Sequence, residues 1–270
     1  MTIPAQLNEL KRLVRHLASE LPATHGAIPW AAPVLMFGQL SCSRVATLGL
    51  NPSNLEFVDR YGVELDDDRR RFHSLSSLGL LHWNSTQSND VKSIWNFCES
   101  YFQRNPYDGW FKRLDRILGG LGVSYYDQFS PACHLDLVPF ATSEKWSALQ
   151  NSQRQALGKL GAASLVSLLR ASDIRVLVLN GMSVVREFSN LMDVTLPSVV
   201  MKPWLLPNSR GGVTGLAFEH RLSEIQGKAL NREILVLGYN HNIQSSFGVT
   251  NEVILNIAAW VAKRAKGIEL

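Results

Sequence analysis

The stretch that decides the fold is Arg44-Val45-Ala46-Thr47-Leu48-Gly49-Leu50-Asn51-Pro52-Ser53. Its first half is a nearly continuous apolar run, which is typical of a strand buried on both faces of a sheet. Gly49 allows a turn or a close approach of another group, and Pro52 ends the ladder. We therefore predict that Asn51 lies at the carboxyl end of a buried strand, where ligands bind in open α/β sheets. An ordinary strand-to-loop turn is the alternative interpretation.

Three further apolar runs follow and alternate with amphipathic segments. The predicted strands are residues 133–138, 174–180 and 233–238, and the predicted helices are 6–20, 91–104, 110–121, 153–171, 183–192 and 251–266. Residues 198–230 contain prolines and a Gly-Gly pair, and they predict a hairpin or a long loop. This alternation indicates an α/β fold with a central four-stranded parallel sheet flanked by helices. We predict a single domain over residues 1–270, in which residues 1–40 form a helical lead-in packed on the core.

Composition and charge limit the class of protein. The 270-residue chain is 46% hydrophobic, which is enough for a sizeable core, and no apolar run is long enough to predict a transmembrane helix. The first nine residues lack the pattern of a signal peptide, and the three scattered cysteines do not indicate a disulfide framework. We therefore expect a monomeric cytoplasmic protein. Its net charge of +4 permits a polyanionic partner without requiring one.

Polar side chains stand at the end of each predicted strand. Asn51 follows the first strand, Asp136 lies near the end of the second, and Asn180 ends the third. The fourth strand is followed by residues 239–248, which include His241. Because the carboxyl ends of parallel strands meet at one edge of a sheet, we expect these side chains to converge on one crevice.

Gly49-Leu50-Asn51-Pro52-Ser53 resembles the first motif of the uracil-DNA glycosylase superfamily, in the branch that has Gly-x-Asn-Pro-Gly. The family's base-recognition residue ends the second strand, where this chain has Leu135-Asp136-Leu137-Val138-Pro139. The family's second motif begins with a histidine after the fourth strand, but its usual His-Pro-Ser is replaced here by His241-Asn242-Ile243-Gln244-Ser245-Ser246. The order and spacing match over about residues 44–250. The resemblance implies the glycosylase-like fold and excision of a flipped base from DNA, with no cofactor or metal.

The resemblance also implies roles for individual residues. Asn51 would hold the attacking water, and His241 would stabilise the charge that develops on O2 of the leaving base, unless it is a loop histidine with satisfied hydrogen bonds. For the aromatic ring that stacks on the base, Phe72 is preferred over Phe57, although either could be a core residue. Asn180 is a further base-recognition candidate. The candidates for DNA contact are Pro52, Ser53, Asn242, Ile243, Gln244 and Ser245, and the candidates for the wedge that fills the duplex are Ile243, Gln244 and Phe247.

Asp136 departs from the family pattern, because members that excise uracil usually carry an asparagine there. An ionised carboxylate only accepts hydrogen bonds, which suits the exocyclic amine of cytosine, and a protonated one could also donate to cytosine N3. We hypothesise that the substrate is a modified cytosine, such as the glucosylated hydroxymethylcytosine of phage DNA, because removal of ordinary cytosine would be toxic. The superfamily includes anti-phage members of this kind. A purely structural Asp136, or a shifted register, is the alternative.

Two other functions fit part of the pattern. The first is a uracil or mismatch glycosylase in base excision repair, which would catalyse the same reaction on a different base. The second is a non-catalytic DNA-binding protein, which would have the same fold but no glycosylase activity. An unrelated α/β hydrolase or nucleotide-binding enzyme is disfavoured, because the sequence has no Gly-x-Ser-x-Gly, P-loop or Gly-x-Gly-x-x-Gly motif. No spacing of His, Cys or Asp residues resembles a metal site.

Overall fold

A computed structural model of the protein describes residues 3–19, 21–206, 212–244 and 248–270. The helices are α1 (Ile3–Ala18), α2 (Leu21–Thr24), α3 (Ser88–Glu99), α4 (Asp108–Leu118), α5 (Asn151–Arg170), α6 (Met182–Met192) and α7 (Asn251–Arg264). The strands are β1 (Val45–Gly49), β2 (Ala132–Asp136), β3 (Val176–Asn180), β4 (Ser198–Val200), β5 (Leu216–Ile225) and β6 (Lys228–Tyr239). Each of the six predicted helices is present close to its predicted bounds. In the described part of the chain, no helix is long and apolar enough to cross a membrane.

Among the described residues, the sheet has six strands in the order β2-β1-β3-β6-β5-β4. β1 runs parallel to β3, with Val45 opposite Val176, and β3 runs parallel to β6, with Val176 opposite Leu235. β5 is antiparallel to both β6 and β4. The α/β class is therefore confirmed, but the sheet is mixed and six-stranded where the sequence pattern predicts four parallel strands.

The additional strands lie in the region for which a hairpin or long loop is predicted. β5 and β6 form an antiparallel hairpin around Gln226 and Gly227, with Ile225 paired to Lys228. Both turn residues have positive φ, 49° and 69°, as a two-residue hairpin turn of the primed type requires. β6 consequently begins five residues before the predicted strand at 233, because its first half is polar and partly exposed and shows no apolar run.

The chain divides into two compact units, each assembled from separate segments. The first unit comprises Met1–Ser41, Leu50–Pro106 and Leu135–Ser172, and the second comprises Cys42–Gly49, Tyr107–His134 and Asp173–Leu270. In the first unit, α1 packs against α3 and α5. In the second unit, α6 packs on β3 and β6, and α4 packs against α7. The prediction of one domain over the whole chain stays a prediction.

Candidate functional site

Asn51, in the first unit, is held by a fixed set of hydrogen bonds. Its Nδ2 donates to Oγ1 of Thr142 at 3.0 Å, to the carbonyl oxygen of Pro52 at 3.0 Å, and to the carbonyl oxygen of Phe140 at 3.5 Å. Thr142 donates its own hydroxyl proton to the carbonyl oxygen of Glu144 at 2.7 Å, so its Oγ1 accepts from Asn51. Because all three atoms on this side are hydrogen-bond acceptors, the end of the Asn51 amide that faces them is the NH₂ group.

The other end of this amide is a hydrogen-bond acceptor. Among the described residues, none donates to Oδ1 of Asn51, and the side chain is partly exposed. A carbonyl oxygen held in this way can accept a hydrogen bond from a water molecule, although an amide is too weak a base to remove the proton. The geometry is compatible with the role predicted for Asn51.

The segment that carries Asp136 runs beside the segment that carries Asn51. The backbone N–H of Val138 donates to the carbonyl oxygen of Leu50 at 2.9 Å, which joins the residue before Asn51 to the residue two after Asp136. α5 packs directly on this segment, because a Cβ at Gly161 would overlap the carbonyl oxygen of Leu137. Asp136 itself is partly exposed. The first unit thus places the segments that carry Asn51 and Asp136 side by side.

Glu56 is a functional candidate that the sequence does not reveal. Ser53 is exposed and caps the short helical turn Asn54–Glu56, because its Oγ accepts from the N–H of Leu55 at 3.2 Å. The turn carries Glu56 into the interior, where the residue is only 3% exposed. Tyr101 donates its hydroxyl proton to Oε2 of Glu56 at 2.7 Å. Burial disfavours the charged form of a carboxyl, so Glu56 favours its protonated form.

The charges around Glu56 act in opposite directions. Burial raises the pKa of Glu56 to about 7, and the Tyr101 hydrogen bond and the nearby Arg71 limit the rise, whereas the carboxyl of Asp136 adds to it. Arg71 is fixed by donating to the carbonyl oxygens of Leu55 at 2.6 Å and Asn105 at 2.9 Å. Glu56 therefore changes charge near neutral pH and lies within the electrostatic influence of Asp136.

Phe57 and Phe72, the two candidates for stacking on the base, belong to one aromatic cluster. Phe72 stacks on Tyr101, with ring centroids 5.0 Å apart and planes within 12°, and Phe57 lies 5.8 Å from Phe72. Both phenylalanines are buried, at 2% and 3% exposure, so in this conformation they form part of an apolar cluster with Tyr101. Stacking of Phe72 or Phe57 on a base stays a prediction.

His241, in the second unit, is buried after β6. Its Nε2 lies 2.6 Å from the carbonyl oxygen of Trp204, and the residue is only 3% exposed. Burial lowers the pKa of His241, and the bond to Trp204 opposes that effect. A carbonyl can only accept, so Nε2 carries the proton, and the neutral ring then has only an acceptor at Nδ1. In this conformation the imidazole donor is already engaged, and the predicted catalytic role of His241 stays a prediction.

Asn180 joins the loop after β6 through side-chain hydrogen bonds within the second unit. The hydroxyl of Tyr239 donates to Oδ1 of Asn180 at 2.8 Å, and Nδ2 of Asn180 donates to Oε1 of Gln244 at 3.1 Å. Oδ1 of Asn242 accepts from the backbone N–H of Gln244 at 3.2 Å. Ile243 is fully buried and does not project as a wedge in this conformation. Ser245 and Phe247 lie outside the described residues.

The predicted site residues thus form two groups, one in each unit. Asn51, Pro52, Ser53, Phe57, Phe72 and Asp136 belong to the first unit, whereas Asn180, His241, Asn242, Ile243 and Gln244 belong to the second. Hydrogen bonds join Asn180 and Asn242 to Gln244 in the second unit, and the Asn51 and Asp136 segments are joined in the first. Convergence of both groups on one crevice stays a prediction.

Neither the protein-family models nor the curated proteins gave a match to this chain. Function is therefore inferred from the chemistry of the two groups of side chains. Within residues 3–19, 21–206, 212–244 and 248–270, no three His, Cys, Asp or Glu side chains are grouped as a metal ion would require.

Proposed function

We propose that the chain is a monofunctional DNA glycosylase, which hydrolyses the N-glycosidic bond of a flipped pyrimidine nucleotide and leaves an abasic site. The observation that carries the proposal is the orientation of Asn51. Three acceptors hold its Nδ2, and its Oδ1 receives no hydrogen bond from the described residues. A preoriented acceptor that is a poor base suits a reaction in which water must be positioned more than deprotonated.

The reaction proceeds through a sugar with oxocarbenium-ion character. The C1′–N1 bond breaks and its electron pair leaves with the base, while the oxygen of the water held by Asn51 bonds to C1′. The water loses its proton to solvent, and the departing base takes one up. The protein's contribution is to place the water, to hold the flipped nucleotide and to stabilise the charge on the leaving base.

Asp136 is the group that we propose selects the base. Its carboxyl lies on the segment bonded to the Asn51 segment, and a carboxylate is the natural acceptor for the exocyclic amine of cytosine. Glu56 adds no second negative charge while it is protonated, which it is below a pH of about 7. We extend the proposal to a modified cytosine, such as glucosylated hydroxymethylcytosine of phage DNA, and to a role in anti-phage defence.

We predict that Asp136→Asn changes which base is released. Matched duplexes would carry one uracil, one cytosine or one glucosylated hydroxymethylcytosine, and abasic sites would be counted after alkaline cleavage. We expect the wild-type protein to act on the modified cytosine and Asp136→Asn to lose about 10- to 100-fold of that activity, since a good base contact is worth about 1–3 kcal/mol. The variant should gain activity on uracil, because an amide can also donate to uracil O4.

The exposed Asp68 provides a matched control for Asp136, because Asp68→Asn makes the same chemical change at an exposed position of the same unit. Efficient uracil release by the wild-type protein, with no action on the modified cytosine, would reject the base assignment and support the repair function. Binding of all three duplexes without any abasic product would support the non-catalytic DNA-binding alternative.

A further inference from the structure

Three consecutive arginines of the first unit, Arg69, Arg70 and Arg71, differ in their partners. Arg69 pairs with the carboxylate of Asp66, and Arg71 donates to two backbone carbonyl oxygens at 2.6 and 2.9 Å. Arg70 is partly exposed, its Nε is buried, and among the described residues no hydrogen bond or ion pair engages its guanidinium. A partly buried charge without an acceptor is unfavourable, so native structures rarely keep one without a reason.

The backbone that carries Arg70 is fixed by the side chain of Arg104. Nη1 of Arg104 donates to the carbonyl oxygen of Arg70 at 3.0 Å. Its Nη2 donates to the carbonyl oxygens of Arg71 at 2.9 Å and Phe97 at 2.8 Å, and its Nε donates to Oγ of Ser100 at 3.0 Å. The guanidinium of Arg104 is thus engaged within the protein, and it sets the backbone position of Arg70 before any ligand binds.

This arginine segment lies beside the short helical turn that begins three residues after Asn51. Nη1 of Arg71 donates to the carbonyl oxygen of Leu55, which belongs to that turn, at 2.6 Å. Arg70 is the residue before this contact, and it belongs to the same unit as Asn51 and Asp136. Arg70 is therefore a charged donor held next to the segment to which we assign the positioning of water.

The charges around Arg70 favour an anion. Burial lowers the pKa of Arg104, and the positive charge of Arg70 lowers it further. Burial also lowers the pKa of His73 to about 4, with both arginines adding to the effect, so this imidazole is neutral near pH 7. Asp66 acts on Arg70 electrostatically but is already paired with Arg69. Guanidinium groups bind phosphate through two parallel charge-assisted hydrogen bonds, and DNA supplies a phosphate at every nucleotide.

We propose that the guanidinium of Arg70 binds a phosphate group of the DNA strand that carries the flipped nucleotide, and that Arg104 and Arg71 act as positioning residues for it. This inference rests on the DNA substrate of the proposed function. Phosphate contacts fix the register of a protein on DNA and carry no sequence information. Arg70 therefore holds the strand in place for Asn51 and contributes equally to DNA with modified and with ordinary cytosine.

The test is the salt dependence of DNA binding, because each phosphate contact releases condensed cations from DNA. The dissociation constant for the ordinary duplex, and the half-saturating protein concentration in single-turnover reactions on the modified duplex, would be measured from about 50 to 200 mM salt. We expect Arg70→Gln to raise both quantities about 10-fold at the lowest salt. The slope of the logarithm of each quantity against the logarithm of salt concentration should fall by about 0.9, the value for one phosphate contact.

Two further variants separate the phosphate contact from general damage. Arg70→Lys keeps the charge and loses the planar fork, so it should bind more weakly than the wild-type protein while keeping most of the slope. Arg15→Gln removes an exposed arginine of α1 in the same unit and should leave affinity and slope unchanged.

The outcomes separate this inference from the glycosylase function. Wild-type affinity and slope in Arg70→Gln, or weaker binding with an unchanged slope, would overturn the phosphate contact and leave the glycosylase function standing. A reduced slope without an abasic product from any duplex would support the phosphate contact and reject the glycosylase function. Absence of DNA binding by the wild-type protein would overturn both.

Discussion

Asn51→Ala should slow base release about 1,000-fold in single-turnover measurements, because positioning of the attacking water is lost while binding of the DNA is kept. The alanine removes the Oδ1 acceptor together with the three bonds from Nδ2 to Thr142, Pro52 and Phe140. Since Asn51 is only partly buried, the variant should remain folded. The measurement is the rate of abasic-site formation with protein in excess, alongside the dissociation constant for the same duplex.

Two further variants separate positioning of the Asn51 amide from general damage. Thr142→Val keeps the side-chain shape and removes the side-chain acceptor Oγ1 for Nδ2, so it should slow release by a smaller factor than Asn51→Ala. Asn84→Ala removes an exposed asparagine of the same unit and should have no effect. If Asn51→Ala released the base at the wild-type rate, Asn51 would be an ordinary turn residue.

Glu56→Gln should make the stability of the protein less dependent on pH. The pKa of Glu56 is raised from 4.5 in the unfolded chain to about 7 in the folded protein, chiefly by burial. Between these two values the folded protein holds a proton that the unfolded chain has lost, so the free energy of unfolding falls as pH rises. This shift in the pKa of Glu56 corresponds to a loss of about 3 kcal/mol in the free energy of unfolding, which is complete a little above pH 7.

Denaturant unfolding of the wild-type protein and Glu56→Gln from pH 4 to 9 measures this effect. The difference in free energy of unfolding should grow in favour of the glutamine variant up to about pH 7 and then level off. Glu144→Gln changes an exposed glutamate of the same unit and should follow the wild-type curve. Parallel curves for wild type and Glu56→Gln would mean that Glu56 is not a carboxyl whose protonation changes near neutral pH.

The sequence predicts those strands of the sheet whose residues are buried on both faces, because such strands consist of apolar residues. β1 and β3 are apolar on both faces, and their residues are almost all buried, so a short run of Val, Leu and Ala identifies them. β5 mixes buried, partly buried and exposed residues and includes Glu219, His220 and Arg221, so it gives no apolar run. A strand of this kind depends on its hairpin partner, and its pairing is visible only in the structure.

The side chains of the candidate site also differ in whether the sequence alone could identify them. Asn51 and Asp136 could be selected because each stands where an apolar run ends. Glu56 could not, because its burial depends on Tyr101, which is distant in sequence and donates to it across the first unit. Gln244 is named from the sequence as a candidate for DNA contact, but the hydrogen bond that it accepts from Asn180, at the end of another strand, is visible only in the structure. The sequence shows which polar side chains follow the strands. The hydrogen bonds in the structure show which donor and acceptor atoms of those side chains are already engaged.

The most direct test of the glycosylase function is a count of two products from one reaction. The wild-type protein would be incubated with duplex DNA whose cytosines are glucosylated hydroxymethylcytosine, and with the same duplex containing ordinary cytosine. Abasic sites would be counted with an aldehyde-reactive probe, and free base would be measured by mass spectrometry. We expect equal amounts of free modified base and abasic sites from the modified duplex and neither from the ordinary duplex, with formation of both about 1,000-fold slower for Asn51→Ala. DNA that is bound by the wild-type protein but keeps every glycosidic bond would contradict the proposed glycosylase function.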